Sequence, residues 1–178
     1  MISPIIKRNG ASYGVVTGII LSLITATIYS IDVKLFLSFW TTLLSLTGFI
    51  IITAILLMQT KKQLSNQLSF KEAFTTYFIC SLVGIVIFAG FKVLLYNVID
   101  PSIKDTLLEL TIKYLKDTSN NYGVSASTLN EMITNLRKND PFSITEQLKG
   151  GFTNLFFACI FGLIMALIFK SKNTLQDN

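Results

Sequence analysis

The sequence predicts an all-α membrane protein: a four-span transmembrane helical bundle with an extracytoplasmic helical hairpin between spans 3 and 4. Three observations carry this. Hydrophobic residues make up 51% of the 178 positions and charged residues only 14%, where a soluble domain carries about 25% charge. Four apolar runs are each long enough to cross a hydrocarbon core about 30 Å thick. A polar stretch of some fifty residues, 100–149, separates the third run from the fourth. The net charge of +5 does not point to nucleic acid, because the basic residues sit in short clusters beside apolar runs rather than in a stripe with interleaved aromatics. Membrane proteins mark their cytoplasmic side in that way.

The first span covers 10–31. The pair Lys7–Arg8 before an apolar run resembles a signal peptide, but the run is too long and no small-x-small cleavage site follows, so it reads as a retained span. No cysteine lies near the N-terminus, which argues against a lipoprotein. Gly10, Gly14, Gly18, Ser22, Ala26 and Ser30 fall at every fourth position, a stripe of small residues along one helix face. In lipid, small residues let helix backbones approach. The stripe fits either packing within one bundle or a seam between two copies.

A short break holding Asp32 and Lys34 leads to the second span, 35–58, with Trp40 at the depth expected of an interfacial indole. Lys61 and Lys62 close it. Ser69 and Glu72 then form a capping-box pattern, opening a third span over 73–98. Its one full charge in the apolar run is Lys92. An intramembrane cation is costly and is by default a candidate functional residue. It could snorkel to the headgroups on its flexible stem or meet an anionic substrate or headgroup.

In the polar stretch, Asp100 and Pro101 read as N-cap and first helical residue. Ile103, Leu107, Leu110 and Tyr114 then keep a helical period. The loop SNNYGVSAS, with Gly123 at its turn, breaks that helix. Thr128 and Glu131 read as a second capping box, and Leu129, Met132, Ile133 and Leu136 as a second apolar stripe. Asn139-Asp140-Pro141 stops this helix. Ser143 and Glu146 open the fourth, which crosses at 150–169, and Ala158, Gly162 and Ala166 repeat the small spacing. Lys170 and Lys172 end the span, and the last six residues read as a disordered tail.

The charges orient the spans. Lys7, Arg8, Lys61, Lys62, Lys71, Lys170 and Lys172 flank one end against only Glu72 and Asp177. The insert balances six basic residues against seven acidic ones. Both termini are therefore expected in the cytoplasm and residues 100–149 outside.

Chemistry is sparse. There is no histidine, no metal-ligand spacing, no nucleophile elbow and no phosphate-cradling glycine loop. Cys80 and Cys159 lie in apolar runs and read as reduced, buried thiols. Thr17, Thr53, Thr76 and the other span hydroxyls read as bonded to backbone or to neighbouring helices. Asn97 and Asn154 read as bridges between helices. No cofactor, metal or catalytic residue is expected, and the chain reads as a non-enzyme.

Three stretches carry a family likeness: YGVVTGII in the first span, SFKEAF entering the third, and YNVIDP at 96–101. The closing GLIMALIFKSK adds to them. Together they resemble DUF4199, a family of small bacterial membrane proteins. The resemblance implies four spans and a bacterial inner membrane, and brings no activity. The expected partners are the bilayer and either a second copy or an envelope protein met through residues 100–149. The leading expectation is a partner-binding or scaffolding module; the alternative is a small oligomeric transporter or channel with Lys92 near an anionic substrate.

Overall fold

The computed structural model describes residues 2–171; Lys172 and the tail beyond it lie outside them. Four long apolar helices run up and down beside one another: α1 (Pro4–Ile31), α2 (Phe39–Gln63), α3 (Phe70–Leu94) and α6 (Ile144–Phe169). Two polar helices, α4 (Ile103–Tyr122) and α5 (Ala126–Lys138), form a hairpin between α3 and α6. All four long helices meet the length and hydropathy of a membrane span. Their outward residues are greasy: Leu23, Leu44, Val86, Phe156 and Ile168 are each at least 60% exposed. Such a surface would be a liability in water and suits hydrocarbon. The chain is a multi-pass membrane protein.

Local chemistry sets most boundaries. Ser3 caps α1 through the Ile5 amide, with Pro4 as its first residue. That start lies six residues before the apolar run. Asp32 accepts from the Lys34 amide at 2.9 Å and holds a 3₁₀ turn over Val33–Leu37, so α2 starts at Phe39 rather than at residue 35. The α2 C-terminus turns through two left-handed residues, Ser65 (φ 54°) and Asn66 (φ 63°), with the Asn66 amide donating to the Lys61 carbonyl at 2.9 Å. The Ser69–Glu72 box is reciprocal. Ser69 Oγ accepts from the Glu72 amide, and Glu72 Oε2 accepts from the Ser69 amide.

The polar segment departs from the sequence reading in four places. Asp100 and Pro101 do not begin α4. The Asp100 carboxylate holds the Ser102 amide at 3.1 Å, a turn that delays the helix to Ile103. α4 continues through Ser119 and Asn120 to Tyr122 and ends on Gly123 at φ 66°, the left-handed position that suits glycine. The cap of α5 is Ser125, not Thr128. Its hydroxyl accepts from the Thr128 amide, while the Thr128 hydroxyl lies 2.8 Å from it. At α6, Ser143 caps the Glu146 amide, but the Glu146 carboxylate turns to Lys149 instead of reaching back.

α3 is the hub. It packs most extensively on α1 and next on α6. Gly10, Gly14 and Gly18 face it so closely that a Cβ on Gly14 would stand 2.7 Å from Val83 Cβ and 2.8 Å from the Cys80 carbonyl oxygen. On α6, a Cβ on Gly162 would meet the Tyr77 ring at 2.7 Å. One apolar core lies at the end holding the termini, around Leu57, Leu68, Ala73, Tyr77, Met165 and Ala166. A second lies at the hairpin end, around Leu95, Tyr96, Ile103 and Leu107, backed by Tyr29, Val33, Phe36, Phe91 and Phe142. The base of α4 is thereby built into the bundle, whereas α5 has no buried residue.

Candidate functional site

Polar side chains gather where α3 leaves the bundle. The last turn of that helix widens into a π-helical turn over Leu95–Ile99, closed by the Asp100 amide donating to the Leu95 carbonyl at 3.0 Å. Such turns are rare, and they concentrate at functional sites. Above it, the Tyr29 hydroxyl of α1 donates to Asp100 Oδ2 at 3.0 Å, and Ser102 donates to Oδ1 from its amide and its hydroxyl. Donors from Ser102 and Tyr29 stabilise the charged form, so they hold the Asp100 carboxyl below its ordinary range. Lys104 donates to Asn97 Oδ1 at 2.6 Å and lies 3.8 Å from Asp140. α1, α3, α4 and the approach to α6 are thus tied at one junction.

Lys92 lies one turn before this junction, on the face of α3 that carries Leu95 and Tyr96. Its ammonium sits 5.0 Å from the centroid of the Phe88 ring. Phe88 is one turn nearer the termini, so the half-buried side chain leans back along α3 and not up toward the hairpin. Helical side chains lean toward the N-terminus, and α3 runs toward the hairpin. The same lean that would let a lysine snorkel at the start of this helix carries it away from the hairpin here. Among the described residues no carboxylate lies within ion-pairing distance of it.

Tyr96 is 4% exposed and packs edge-on against Phe142, ring centroids 5.5 Å apart. Its hydroxyl has no hydrogen-bond partner among the described residues.

The remaining candidates are packing residues by position. Gly10, Gly14 and Gly18 of α1 pack against α3. Ser22 donates to the Gly18 carbonyl, and with Ala26 it lines a shallow apolar groove beside Gly90 and Phe91. Ala158 and Ala166 join Gly162 against the core at the termini end. Thr17, Thr53 and Thr76 each donate to their own backbone one turn back. Cys80 and Cys159 are free thiols. Asn97 connects α3 to α4 through Lys104, whereas Asn154 is exposed.

Sequence reasoning gave no role to Tyr29, Tyr96 or Lys104, whose partners Asp100, Phe142 and Asn97 are brought to them by the fold. It also passed over Asn9, 7% exposed, whose amide donates to Thr60 and Gln63 and ties α1 to α2.

A family model described as a protein of unknown function, DUF4199, matches residues 12–171. Comparison with curated proteins and with solved structures gave no match.

Proposed function

The chain belongs to the DUF4199 family, and from that premise we propose that it is a non-enzymatic module of a bacterial inner membrane, which recruits or scaffolds an envelope partner through its helical hairpin. One observation carries the reading: α5 has no fully buried residue, and Leu129, Ile133 and Leu136 of its apolar stripe are only half-buried. Its apolar stripe includes Met132 at 42% exposure, and Tyr114 on α4 and Tyr122 at the hairpin tip are 56% and 82% exposed. An amphipathic helix is stabilised mainly by burying its apolar face. Here the base of α4 is anchored in the hairpin-end core while α5 is held out, joined to α4 by the Arg137–Glu109 ion pair.

Purification of the full chain in mild detergent, with mass analysis of the recovered complex, tests this. The reading expects a stoichiometric partner that is lost with Met132→Glu and Tyr114→Glu but kept with Leu44→Ala on the lipid-facing surface. A homo-oligomer alone, unchanged by the hairpin variants, would sink it. That result would favour the second reading, a small oligomeric transporter for an anion. The Lys92 ammonium, leaning back along α3, is the observation that supports it.

A further inference from the structure

We propose that the end of the bundle holding the termini binds the headgroup of an anionic phospholipid, in a notch between the starts of α1 and α3. The site does not depend on whether the hairpin recruits a partner. Lys7, Arg8, Lys61, Lys62, Lys71 and Lys170 gather at this end, and Glu72 is the one carboxylate beside them among the described residues. None of the six cations is ion-paired; the ion pairs among the described residues all lie within 104–149. Of their side chains, only that of Lys61 has a hydrogen-bond partner there, the Phe169 carbonyl at 3.2 Å.

The cations at the helix starts gain nothing from the fold. Positive charge near a helix N-terminus opposes the helix dipole. Lys71 stands in the first turn of α3, and Lys7 and Arg8 stand within the first two turns of α1, whose first turn holds no acidic residue. Glu72 gives Lys71 no relief. Its Oε2 accepts from the Ser69 amide at 3.0 Å and from the Ser69 hydroxyl at 2.8 Å. The missing partner is an anion from outside the chain, and at the end of a membrane span the surrounding anions are lipid phosphates.

The notch suits a headgroup. It has a volume of about 340 Å³, with Ser3, Lys71, Glu72 and Thr75 on its polar walls and Ile2 and Ile6 on its apolar ones. A phosphate with its hydroxylated substituent meets the polar walls, and the glycerol and acyl stems meet the isoleucines. Lys7 adds a positive charge one turn from Ser3, whose carbonyl accepts from the Lys7 amide at 3.4 Å. Beyond Thr75, Leu82 and Val86 continue the same face of α3 at 38% and 62% exposure, an apolar track along which an acyl chain can lie.

The test uses the full chain, stripped of lipid in detergent and titrated with phosphatidylglycerol, phosphatidylethanolamine or phosphatidylcholine. Thermal unfolding and native mass spectrometry are the readouts. Phosphatidylglycerol should stabilise saturably, and the two zwitterionic lipids only weakly. Lys71→Gln should weaken the apparent affinity for phosphatidylglycerol about fivefold, the weight of one basic residue at an anionic surface. Lys71→Glu should weaken it further, and Lys71→Arg should keep it. Lys62→Gln, at the same end but outside the notch, should cost less than Lys71→Gln. Lys71 is exposed and opposes the dipole of its own helix, so lipid-free Lys71→Gln should unfold no earlier than the native chain, which separates lost binding from lost structure. Equal responses to the three lipids, or a phosphatidylglycerol titration unchanged in Lys71→Gln, would overturn the site and leave these cations as markers of orientation alone. Equal losses for Lys62→Gln and Lys71→Gln would overturn the notch as its place.

Discussion

At the scale of single residues, the bundle is governed by where side chains are missing. Gly14 and Gly18 bring α1 onto α3, and a Cβ at either would stand 2.7 Å from a Cβ of α3. Gly48 on α2 has nothing within 4 Å of the equivalent point. The same residue type therefore has opposite prospects. Gly14→Leu and Gly18→Leu should separate two helix backbones and cost about 3 kcal/mol or more, at the upper end of overpacking penalties. Gly48→Ala should be neutral or stabilising by up to about 1 kcal/mol, since alanine is the better helix former. Denaturant titration in mixed micelles checks both, and Gly14→Leu unfolding with the native midpoint would refute the packing role. The result also bears on the four-residue small stripe, which fits an intramolecular or an intermolecular seam. Its first three glycines are occupied within one chain, so any second copy would have to use Ser22, Ala26 and the groove beside Gly90.

At the scale of elements, the segments that depend on local chemistry were legible and those that depend on distant partners were not. The Ser69–Glu72 box and the Gly123 turn follow from residues within a few positions of one another. The apolar runs outlined α2, α3 and α6, because a span needs only length and hydropathy. Asp100–Pro101 misled because Asp100 is committed elsewhere: to Ser102, two residues on, and to Tyr29, a whole span away. The same holds for the candidate site. Lys92 stood out as the lone charge of its run, but its lean back toward Phe88 depends on helix direction, and the burial of Tyr96 depends on the distant Phe142 ring. The junction has a consequence for acid stability. Folding lowers the Asp100 pKa through donors from Ser102 and Tyr29. Its contribution is therefore fully present above the unfolded value of about 3.9 and is lost as pH falls through the lower folded value. Below about pH 4 the native chain should lose stability at the α3–α4 joint, and Asp100→Asn should flatten that part of the profile while lowering stability at neutral pH. Hydrogen exchange at the base of α4, followed against pH, reads this out. Identical profiles for the two proteins would remove Asp100 as the latch.

At the scale of the whole molecule, the fold converts a charge pattern into an orientation that can be tested with one residue. The start of α1, the end of α2, the start of α3 and the end of α6 share one end of the bundle. Hydrogen bonds between Asn9 and Thr60, Lys61 and the Phe169 carbonyl, and the Leu68 amide and Ser171 bind them there. Lys7, Arg8, Lys61, Lys62, Lys71 and Lys170 therefore lie together, and the hairpin stands at the opposite end. If positive charge is retained in the cytoplasm, the hairpin faces out. A single cysteine reports this only where reagent can reach it. Ser119 is 5% exposed and unsuitable, whereas its neighbour Asn120 is exposed. With Cys80 and Cys159 replaced by alanine, Asn120→Cys should react in intact cells with a membrane-impermeant maleimide, and Lys62→Cys only after permeabilisation. The reverse pattern would invert the molecule. The hairpin would then face the cytoplasm, and an envelope partner outside the membrane could no longer reach α5. Lys92 would keep its depth and its lack of a counter-charge among the described residues in either orientation, so the transporter reading would survive that outcome while the scaffold reading would not.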